Sequence, residues 1–200
     1  MSEHDHDHEH DHDHDHDGEA VEDARAEAEA DARRRFALGQ IRQYGDPALR
    51  LVAHEVVDFD ADLLRLVERM TTLMQEAQGV GLAATQVGVL RRLFVFEPDE
   101  DGPRVIVNPV IVERADEQET DEEGCLSLQG VRVPVERSVK VTLEGKDAEG
   151  NDVRWELDDY GSRVVQHELD HLDGVLIIDR TDDEHRKEAL STLRPRAVLR

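Results

Sequence analysis

The chain has 200 residues, a formal net charge of −24 and one cysteine. It contains no apolar run long enough to span a membrane, and its N-terminus lacks the basic start and apolar centre of a signal peptide. A single cysteine excludes an internal disulfide and indicates a reducing, cytoplasmic compartment. The length fits one domain with a core, and the acidic balance argues against binding to the DNA backbone.

The acidic charge is concentrated at the N-terminus. Residues 1–31 hold 14 acidic residues and one arginine, so they carry −13 of the net charge of −24. Seven histidines occupy every second position from His4 to His16, alternating with Asp or Glu. This alternation has no apolar face to bury, so we predict a disordered tail over residues 1–37. Its Ala-, Glu- and Arg-rich part, residues 19–37, is also compatible with a solvated helix.

Three interpretations of the histidine-rich segment remain open. Tracts of this kind bind divalent metal ions, which favours a metal reservoir or a delivery arm. An acidic spacer without any ligand has the same composition. An added tag is the third interpretation, and the irregular Glu9 counts against it.

Residues 38–200 are predicted to form one domain of mixed helices and strands. Asp60 is a candidate N-cap for a helix from 61 to about 77, because apolar side chains recur there with helical spacing. A further helix is predicted over 159–172, ended by Gly174, and another over about 182–193. Strands are predicted over 92–97, 104–112, 131–135, 139–145, 151–157 and 175–178, with a hairpin turn at 147–150.

The first sequence motif is Gly79-Val80-Gly81-Leu82-Ala83-Ala84-Thr85-Gln86. It lacks the G-K-[ST] ending of a phosphate loop. A glycine-flexed turn packed on small residues is the structural interpretation. In the functional interpretation, the glycines allow close backbone approach to a bound peptide, and the Gln86 amide stabilises a developing oxyanion.

The second motif, Glu123-Gly124-Cys125-Leu126-Ser127, contains the only cysteine. A lone intracellular cysteine is usually a small buried apolar residue. A thiolate combined with two imidazoles is nevertheless a good site for Zn²⁺ or Fe²⁺. Gly124 would let the backbone pass close to such an ion, and Glu123 is placed to accept a hydrogen bond from a ligand.

The third motif, His167-Glu168-Leu169-Asp170-His171, has the form H-E-x-x-H. Positions i and i+4 share one helix face, so His167 and His171 can bind one metal ion. Glu168 can then act as the general base for a bound water. In so acidic a chain, a solvated helix surface is the alternative.

The third ligand decides between these interpretations, because a catalytic site of this type needs three protein ligands. One class of zinc protease would place a histidine at the position of Ile177, which cannot bind metal. Glu184 and Glu188 lie in the region used by another class, but at the wrong offsets. Cys125 is the remaining candidate.

In this order, the three motifs resemble those of the peptide deformylase family, G-x-G-Φ-A-A-x-Q, E-G-C-Φ-S and Q-H-E-x-D-H-x-x-G. The resemblance covers about residues 38–180 and includes the upstream run from Ile41 to Arg50. It implies a hydrolase that removes the formyl group from the N-terminal formylmethionine of new proteins and releases formate. Strands grouped ahead of the third motif indicate the α+β class. We expect antiparallel sheets around a central metal-binding helix, with one N-terminal and one C-terminal helix.

The resemblance also implies roles for individual residues. The metal ligands correspond to Cys125, His167 and His171, with Fe²⁺ expected in the cell and Zn²⁺, Ni²⁺ or Co²⁺ able to substitute. The general base corresponds to Glu168. The oxyanion donors correspond to the Gln86 side chain and the backbone N–H of Leu126.

Substrate contacts are predicted at Gly79, Val80, Gly81, Val164 and Arg132. For Arg132, a solvated strand position is the alternative. The segment 159–163 departs from the G-Φ-x-A-R of relatives, and Gln129 stands where relatives often carry proline. These departures leave the shape of the methionine pocket open.

Two other function classes use part of this pattern. A zinc protease would need only H-E-x-x-H, and a metal-storage protein would explain the tail but would have no use for Glu168 and Gln86. The arginines near the C-terminus, Arg194, Arg196 and Arg200, are either solvated surface or a transient ribosome contact. The expected partners are formylmethionyl nascent peptides, and a monomer is expected.

Overall fold

The computed structural model describes residues 16–99 and 101–194, which form an α+β arrangement with antiparallel sheets. The α-helices in these ranges are α1 (His16–Gln40), α2 (Ala61–Glu76), α3 (Asp159–Leu172) and α4 (Asp183–Leu193). The strands are β1 (Gly81–Ala83), β2 (Leu93–Phe96), β3 (Arg104–Arg114), β4 (Gln118–Gly124), β5 (Arg132–Ser138), β6 (Lys140–Lys146) and β7 (Asp152–Asp158). Short 3₁₀ helices span Pro47–Arg50, Ala84–Val87 and Ile177–Asp179.

The strands form two sheets. A five-stranded sheet has the order β1-β2-β3-β6-β7, and β4 pairs with β5 in a second sheet of two strands. The β4–β5 ladder ends with Gly124 opposite Arg132. Cys125 therefore follows directly from the end of the smaller sheet.

Helices cover both faces of the larger sheet. Fully buried side chains of α2, such as Met70 and Met74, pack with Leu82 of β1 and Leu93 of β2. The α3 side of the sheet is closed by a second apolar cluster that includes Phe94, Phe96, Leu143 and Val165. Burying one such side chain contributes about 1.5–3 kcal/mol. Helix α3 contacts β5 as well as the larger sheet, so it lies between the two sheets.

The ends of α2 and α3 confirm the predicted start and stop signals. The Asp60 carboxylate accepts hydrogen bonds from the N–H groups of Asp62 and Leu63, both at 3.0 Å. Gly174 follows α3 with a φ of 73°, in the left-handed region that favours glycine. A Cβ at Gly174 would also lie 2.7 Å from the carbonyl oxygen of Arg50, so close chain approach adds a second reason for glycine.

One predicted strand is wrong, and the observed strands β1 and β4 were not predicted. The strand predicted over 175–178 is wrong, because the backbone there turns into a 3₁₀ helix over Ile177–Asp179. The N–H of Val175 donates back to the Asp170 carbonyl at 2.9 Å, and the N–H of Leu176 donates to the Asp179 carboxylate at 2.9 Å. These donors are therefore used locally. Strand β4 has no counterpart among the predictions, since its polar sequence lacks the apolar alternation that signals a strand.

Helix α1 corrects the predicted disorder over residues 16–37 and corresponds to the solvated helix that the sequence also allowed. Its residues 23–36 are exposed except for half-buried Ala30, and Ala37 is the first to join the core. Ala, Glu and Arg have high helix propensity, which explains a helix without an apolar face. Two helices thus precede the sheets instead of one. The run before His16 lies outside the described residues, and the domain boundary at residue 38 remains a prediction.

Among the described helices, none combines the length and the apolar character that a bilayer crossing requires.

Candidate active site

Three potential metal ligands meet where β4 ends beside α3. The ligand atoms of Cys125, His167 and His171 all lie within 4.8 Å of one another. The Cys125 sulfur is 3.2 Å from Nε2 of His171, and the two imidazole centroids are 5.0 Å apart. Helical spacing brings the two histidines together, whereas the sheet pairing brings in a cysteine 46 positions before His171.

The donor set and its surroundings fit a divalent ion. One thiolate and two imidazoles suit Zn²⁺ or Fe²⁺. Nδ1 of His167 lies 3.0 Å from a Glu123 oxygen, an outer contact that fixes the ring and leaves Nε2 for an ion. His171 is 1% exposed, and burial together with the neighbouring His167 keeps its pKa well below the ordinary value, so its imidazole is neutral. We call Cys125, His167 and His171 the ligand cluster.

The carboxylate of Glu123 joins β4 to α3 behind the ligand cluster. It accepts hydrogen bonds from Nε and Nη2 of Arg137 at 2.9 and 3.0 Å, and from Nη1 of Arg163 at 3.0 Å. Burial alone would raise its pKa, but the hydrogen bonds from His167 and Arg137 hold the pKa of Glu123 at about 2. Glu123 is therefore ionised at neutral pH and can orient His167.

Arg137 extends this connection to the neighbouring turn of α3. Its Nη1 donates to Asp170 at 2.6 Å, and Asp170 also accepts hydrogen bonds from Nε and Nη2 of Arg180 at 3.0 and 2.5 Å. Arg137 is 7% exposed, so its charge is compensated almost entirely by Glu123 and Asp170. This bridge attaches the helix that carries both histidines to the strand that leads to Cys125. Removing one partner of such a buried pair typically costs about 3–5 kcal/mol.

Glu168 lies against β1. The residue is 4% exposed, and burial raises its pKa to about 7. One of its oxygens, Oε2, has no hydrogen-bond partner among the described residues. A Cβ at Gly81 would lie 2.7 Å from Cδ of Glu168, so the glycine leaves the space that the carboxyl group occupies. A carboxyl group with a pKa near neutrality is suited to accept and return a proton.

The amide of Gln86 is held in one orientation beside Cys125. Its Oε1 accepts from the N–H of Ala83 at 2.8 Å, and its Nε2 donates to Oγ of Ser127 at 3.1 Å. The same Nε2 is 3.8 Å from the Cys125 sulfur. The NH₂ end therefore faces the ligand cluster. This is the end that an oxyanion would need.

Comparisons with known proteins agree with this site. A protein-family model described as polypeptide deformylase matches residues 38–187. Peptide deformylase 1 of Corynebacterium glutamicum is 44% identical over 164 residues, which cover 80% of this chain and 97% of the relative. The peptide deformylase of Thermotoga maritima is 46% identical over 147 residues, which cover 74% of this chain and 89% of the relative.

The chain belongs to the peptide deformylase family.

Solved structures of peptide deformylases share the fold. The crystal structure of the Thermotoga maritima enzyme has a TM-score of 0.69 at 46% identity, covering 71% of this chain and 96% of that chain. The enzyme from Legionella pneumophila has a TM-score of 0.73 at 37% identity, covering 76% and 91%. These matches confirm the predicted fold class and the predicted reaction, removal of the N-terminal formyl group from new proteins. The family is metal-dependent.

The predicted substrate contacts of this deformylase occupy different surroundings. A Cβ at Gly79 would lie 2.6 Å from Cδ1 of Leu126, so this glycine makes room for the Leu126 side chain. Val80, the next residue, is 42% exposed. Arg132 is exposed and pairs with Gly124 at the end of the β4–β5 ladder, directly before the cysteine. Val164 is 5% exposed and packs in the apolar cluster beneath the larger sheet.

Sequence reasoning did not single out Arg137, Arg163 or Ser127, all of which contact site residues of this deformylase. Arg137 lies between the strands predicted over 131–135 and 139–145, where an arginine has the pattern of a solvated position, because its partners lie on other elements. Asp170, inside the third motif, is the nearest available signal. A buried carboxylate such as that of Asp170 needs a cationic side chain as its partner. A second acidic residue on the helix that carries both histidines therefore indicates such a partner.

Proposed function

We propose that Cys125, His167 and His171 hold one divalent ion, and that Glu168 moves the proton during removal of the formyl group. The observation that supports this most directly is the convergence of one thiol and two imidazoles beside a buried carboxyl group. When bound, such an ion supplies Lewis-acid polarisation and makes water more acidic. The chain's own residues supply proton transfer, orientation and exclusion of water.

Glu168 is the proposed general base and then the general acid. Its carboxylate takes a proton from the attacking water, and its carboxyl group later gives that proton to the leaving amine nitrogen. With a pKa of about 7, both protonation states are accessible near neutral pH. Gly81 contributes by leaving room for the carboxyl group in this position.

Gln86 and Leu126 are the proposed donors to the oxygen that gains negative charge. The Gln86 amide is pre-oriented, because its Oε1 accepts from the N–H of Ala83 and its Nε2 donates to Ser127, so it needs no reorganisation as the charge develops. The backbone N–H of Leu126 is the proposed second donor. One such donor is typically worth about 2.7–4 kcal/mol.

The substrate is proposed to lie along Gly79, Val80 and Gly81, with Arg132 and Val164 as further contacts. The formyl carbon carries only hydrogen, so a site with little space beside it would exclude larger acyl groups. Leu126, whose side chain fills the space left by Gly79, is the proposed source of that limit.

Fe²⁺ is the proposed ion in the cell, with Zn²⁺, Ni²⁺ or Co²⁺ able to replace it, since a thiolate and imidazoles accept all four. We further propose that the enzyme is a monomer. A cytoplasmic location is proposed as well, because a thiolate at the active site needs a reducing compartment. A transient ribosome contact would involve Arg194, Arg196 and Arg200. The last two lie outside the described residues.

The proposed function is tested by formate release from a formylmethionyl peptide, with protein purified anaerobically and loaded with Fe²⁺. The matched control is the same peptide carrying an acetyl group. We expect rapid release from the formyl peptide and none from the acetyl peptide. Fully loaded protein that releases no formate would contradict the proposal, and equal cleavage of both peptides would contradict the small acyl site.

A further inference from the structure

The connecting segment, residues 41–46 after helix α1, is hydrogen-bonded to the loops of both proposed oxyanion donors. The N–H of Arg42 donates to the Gln86 carbonyl at 2.7 Å, and the N–H of Tyr44 donates to the Ser127 carbonyl at 2.8 Å. Gln86 lies in the 3₁₀ helix after β1, whereas Ser127 follows β4, so the two acceptors belong to different sheets. The connecting segment therefore joins two loops that the sheets alone do not hold together.

Apolar side chains fix the chain at both ends of this connection. Ile41 is buried in the cluster that contains Val87, the neighbour of Gln86. Leu49, in the 3₁₀ helix that follows the connecting segment, is buried in the cluster that contains Leu128. Packing and hydrogen bonds thus attach the chain to the loop of each proposed donor. The connecting segment is therefore able to set the separation of those loops.

Leu126 lies at the centre of a tight turn. The N–H of Leu128 donates to the Cys125 carbonyl at 3.0 Å, which closes a β-turn with Leu126 and Ser127 as its central residues. The central peptide of a β-turn can rotate between turn types, because the bond between the ends of the turn is kept in each of them. Such a rotation would reorient the Leu126 carbonyl and displace Ser127, whose hydroxyl accepts from Gln86.

The Gln43 side chain holds this central peptide. Its Nε2 donates to the Leu126 carbonyl at 3.1 Å and to the Ile41 carbonyl at 3.1 Å. Its Oε1 accepts from Nε2 of Gln129 at 3.1 Å. Only the NH₂ end of an amide can donate to two carbonyl oxygens, so all three bonds require the same orientation of Gln43. The half-buried amide therefore opposes rotation of the turn.

We propose that Gln43 is a positioning residue for the two oxyanion donors, and that Gln129 orients the Gln43 amide. Gln43 acts through the turn, where it keeps the Leu126 backbone in one conformation. The same turn keeps the Ser127 hydroxyl in place as the acceptor for Nε2 of Gln86. This role rests on the proposed function, because it affects turnover only if Gln86 and Leu126 stabilise the developing oxyanion.

The kinetic signature of this role is a fall in kcat. Donors to an oxyanion act as the charge develops, so displacing them removes an interaction made in the transition state. Loss of one such donor lowers kcat by about 10²–10³-fold. Without the Gln43 bond the turn keeps its own hydrogen bond from Leu128 to Cys125, so we expect only part of that loss, about tenfold.

The first experiment measures kcat and KM for a formylmethionyl peptide, with the full chain loaded with Fe²⁺. Gln43→Ala removes the amide, whereas Gln43→Glu keeps its length but places an oxygen against the Leu126 carbonyl. We expect kcat to fall about tenfold or more in both variants, with KM within about twofold of the parent value. Gln75→Ala, at an exposed position on α2, is the matched control and should equal the parent.

Two results of this experiment would overturn the proposal. One is turnover of Gln43→Glu at the parent rate. The other is a raised KM with unchanged kcat, which would mean that Gln43 supports ground-state binding of the peptide. Metal content and thermal unfolding are measured for every variant, so that a folding defect is not counted as a loss of positioning.

A double-mutant cycle separates positioning from general loosening of the fold. If Gln43 acts through the donors, Gln43→Ala should cost less when Gln86→Ala has already removed one of them. We expect the tenfold loss to shrink to about threefold or less in that background. An equal loss in both backgrounds would mean that Gln43 supports the fold without positioning Gln86, and would overturn the proposal.

Gln129→Ala tests the outer bond of the network. The Gln43 amide stays in place but loses the donor that fixes its orientation, so we expect a smaller fall in kcat, about threefold. Gln118→Ala, at an exposed position on β4, is the control. Unchanged kcat of Gln129→Ala would disprove the part assigned to Gln129.

Failure of the proposed function would look different from failure of the positioning role. If Gln86→Ala retains the parent rate with metal bound, the assignment of Gln86 as a donor is itself wrong. If Gln86→Ala loses turnover and Gln43→Glu does not, the donor assignment stands and the positioning role of Gln43 is disproved.

Discussion

Helices α1 and α3 are both rich in charged residues, but they use that charge in opposite ways. In α1 the charged side chains described are exposed, and an ion pair such as Arg25–Glu29 joins residues of the same helix. In α3 the polar residues Glu168, Asp170 and His171 are buried. Asp170 pairs with arginines from elsewhere in the fold, and His171 meets the cysteine that follows β4.

A charged composition alone therefore does not mark a functional site. Exposed pairs within one helix contribute little and can be exchanged, because water solvates either partner. Burying a polar group costs free energy unless a partner compensates it. The buried polar residues of α3 therefore indicate a functional role. Substitutions in and around α3 should therefore change metal binding or turnover, whereas similar substitutions in α1 should not.

The largest expected effect is that of Glu168→Ala. Loss of a general base typically lowers turnover by about 10²–10⁴-fold, and the three ligand atoms remain. Formate release and metal content are measured together, with Glu29→Ala in α1 as the control. Turnover at the parent rate with metal bound would refute the assignment of Glu168.

Cys125→Ser is expected to weaken metal retention. An alcohol is a poorer ligand than a thiolate, and loss of a direct ligand should exceed the 10–100-fold typical of an outer partner. Metal content after dialysis against a chelator provides the measurement. Retention equal to that of the parent would count against Cys125 as a ligand.

Gly81→Ala should impair turnover while leaving the metal in place. The added methyl group would displace the Glu168 carboxyl group, and a shift of about 1 Å in a catalytic group can cost up to 10²-fold. Turnover and metal stoichiometry are compared with those of Gly39→Ala, where a Cβ in α1 meets nothing within 4 Å. Unchanged turnover of Gly81→Ala would show that the carboxyl group can move freely.

Arg137→Lys tests the bridge behind the ligand cluster. Lysine keeps the charge but cannot donate to Glu123 and Asp170 in the same forked geometry. We expect metal affinity to fall by about 10–100-fold, with formate release recovering at saturating metal. Arg154→Lys, an exposed arginine on β7, is the matched control. Equal effects of the two substitutions would show that the bridge through Arg137 does not support metal binding.

The smallest effect is expected for Gly39→Ala itself. Replacing glycine within a helix lowers the entropy of the unfolded chain, so the free energy of unfolding should rise by about 0.5–1 kcal/mol. Thermal unfolding gives the stability change, and formate release should equal that of the parent. A marked loss of turnover would mean that α1 is coupled to the active site more tightly than its exposure indicates.

Local signals in the sequence were sufficient for much of the fold. The Asp60 cap, the span of α3 and the turn after β6 each depend on neighbours along the chain, and the structure confirms them. Strand β4 was not predicted, because its extended conformation depends on pairing with β5 and its own sequence has no apolar alternation.

The same limit applies to the site. The spacing of His167 and His171 predicted their shared face, and motif resemblance indicated Cys125 and Glu168. The bridge through Arg137 could not be predicted, because it joins β5, β4 and α3 across 14 and 33 positions of the chain. Long-range charge pairs of this kind leave no periodic trace in the sequence.

The most direct test of the central claim is X-ray absorption at the zinc edge, on protein loaded with one equivalent of Zn²⁺. We expect one sulfur ligand at about 2.3 Å and nitrogen ligands at about 2.0–2.1 Å. A spectrum with nitrogen and oxygen ligands but no sulfur would place the first ion outside the ligand cluster and would contradict the account.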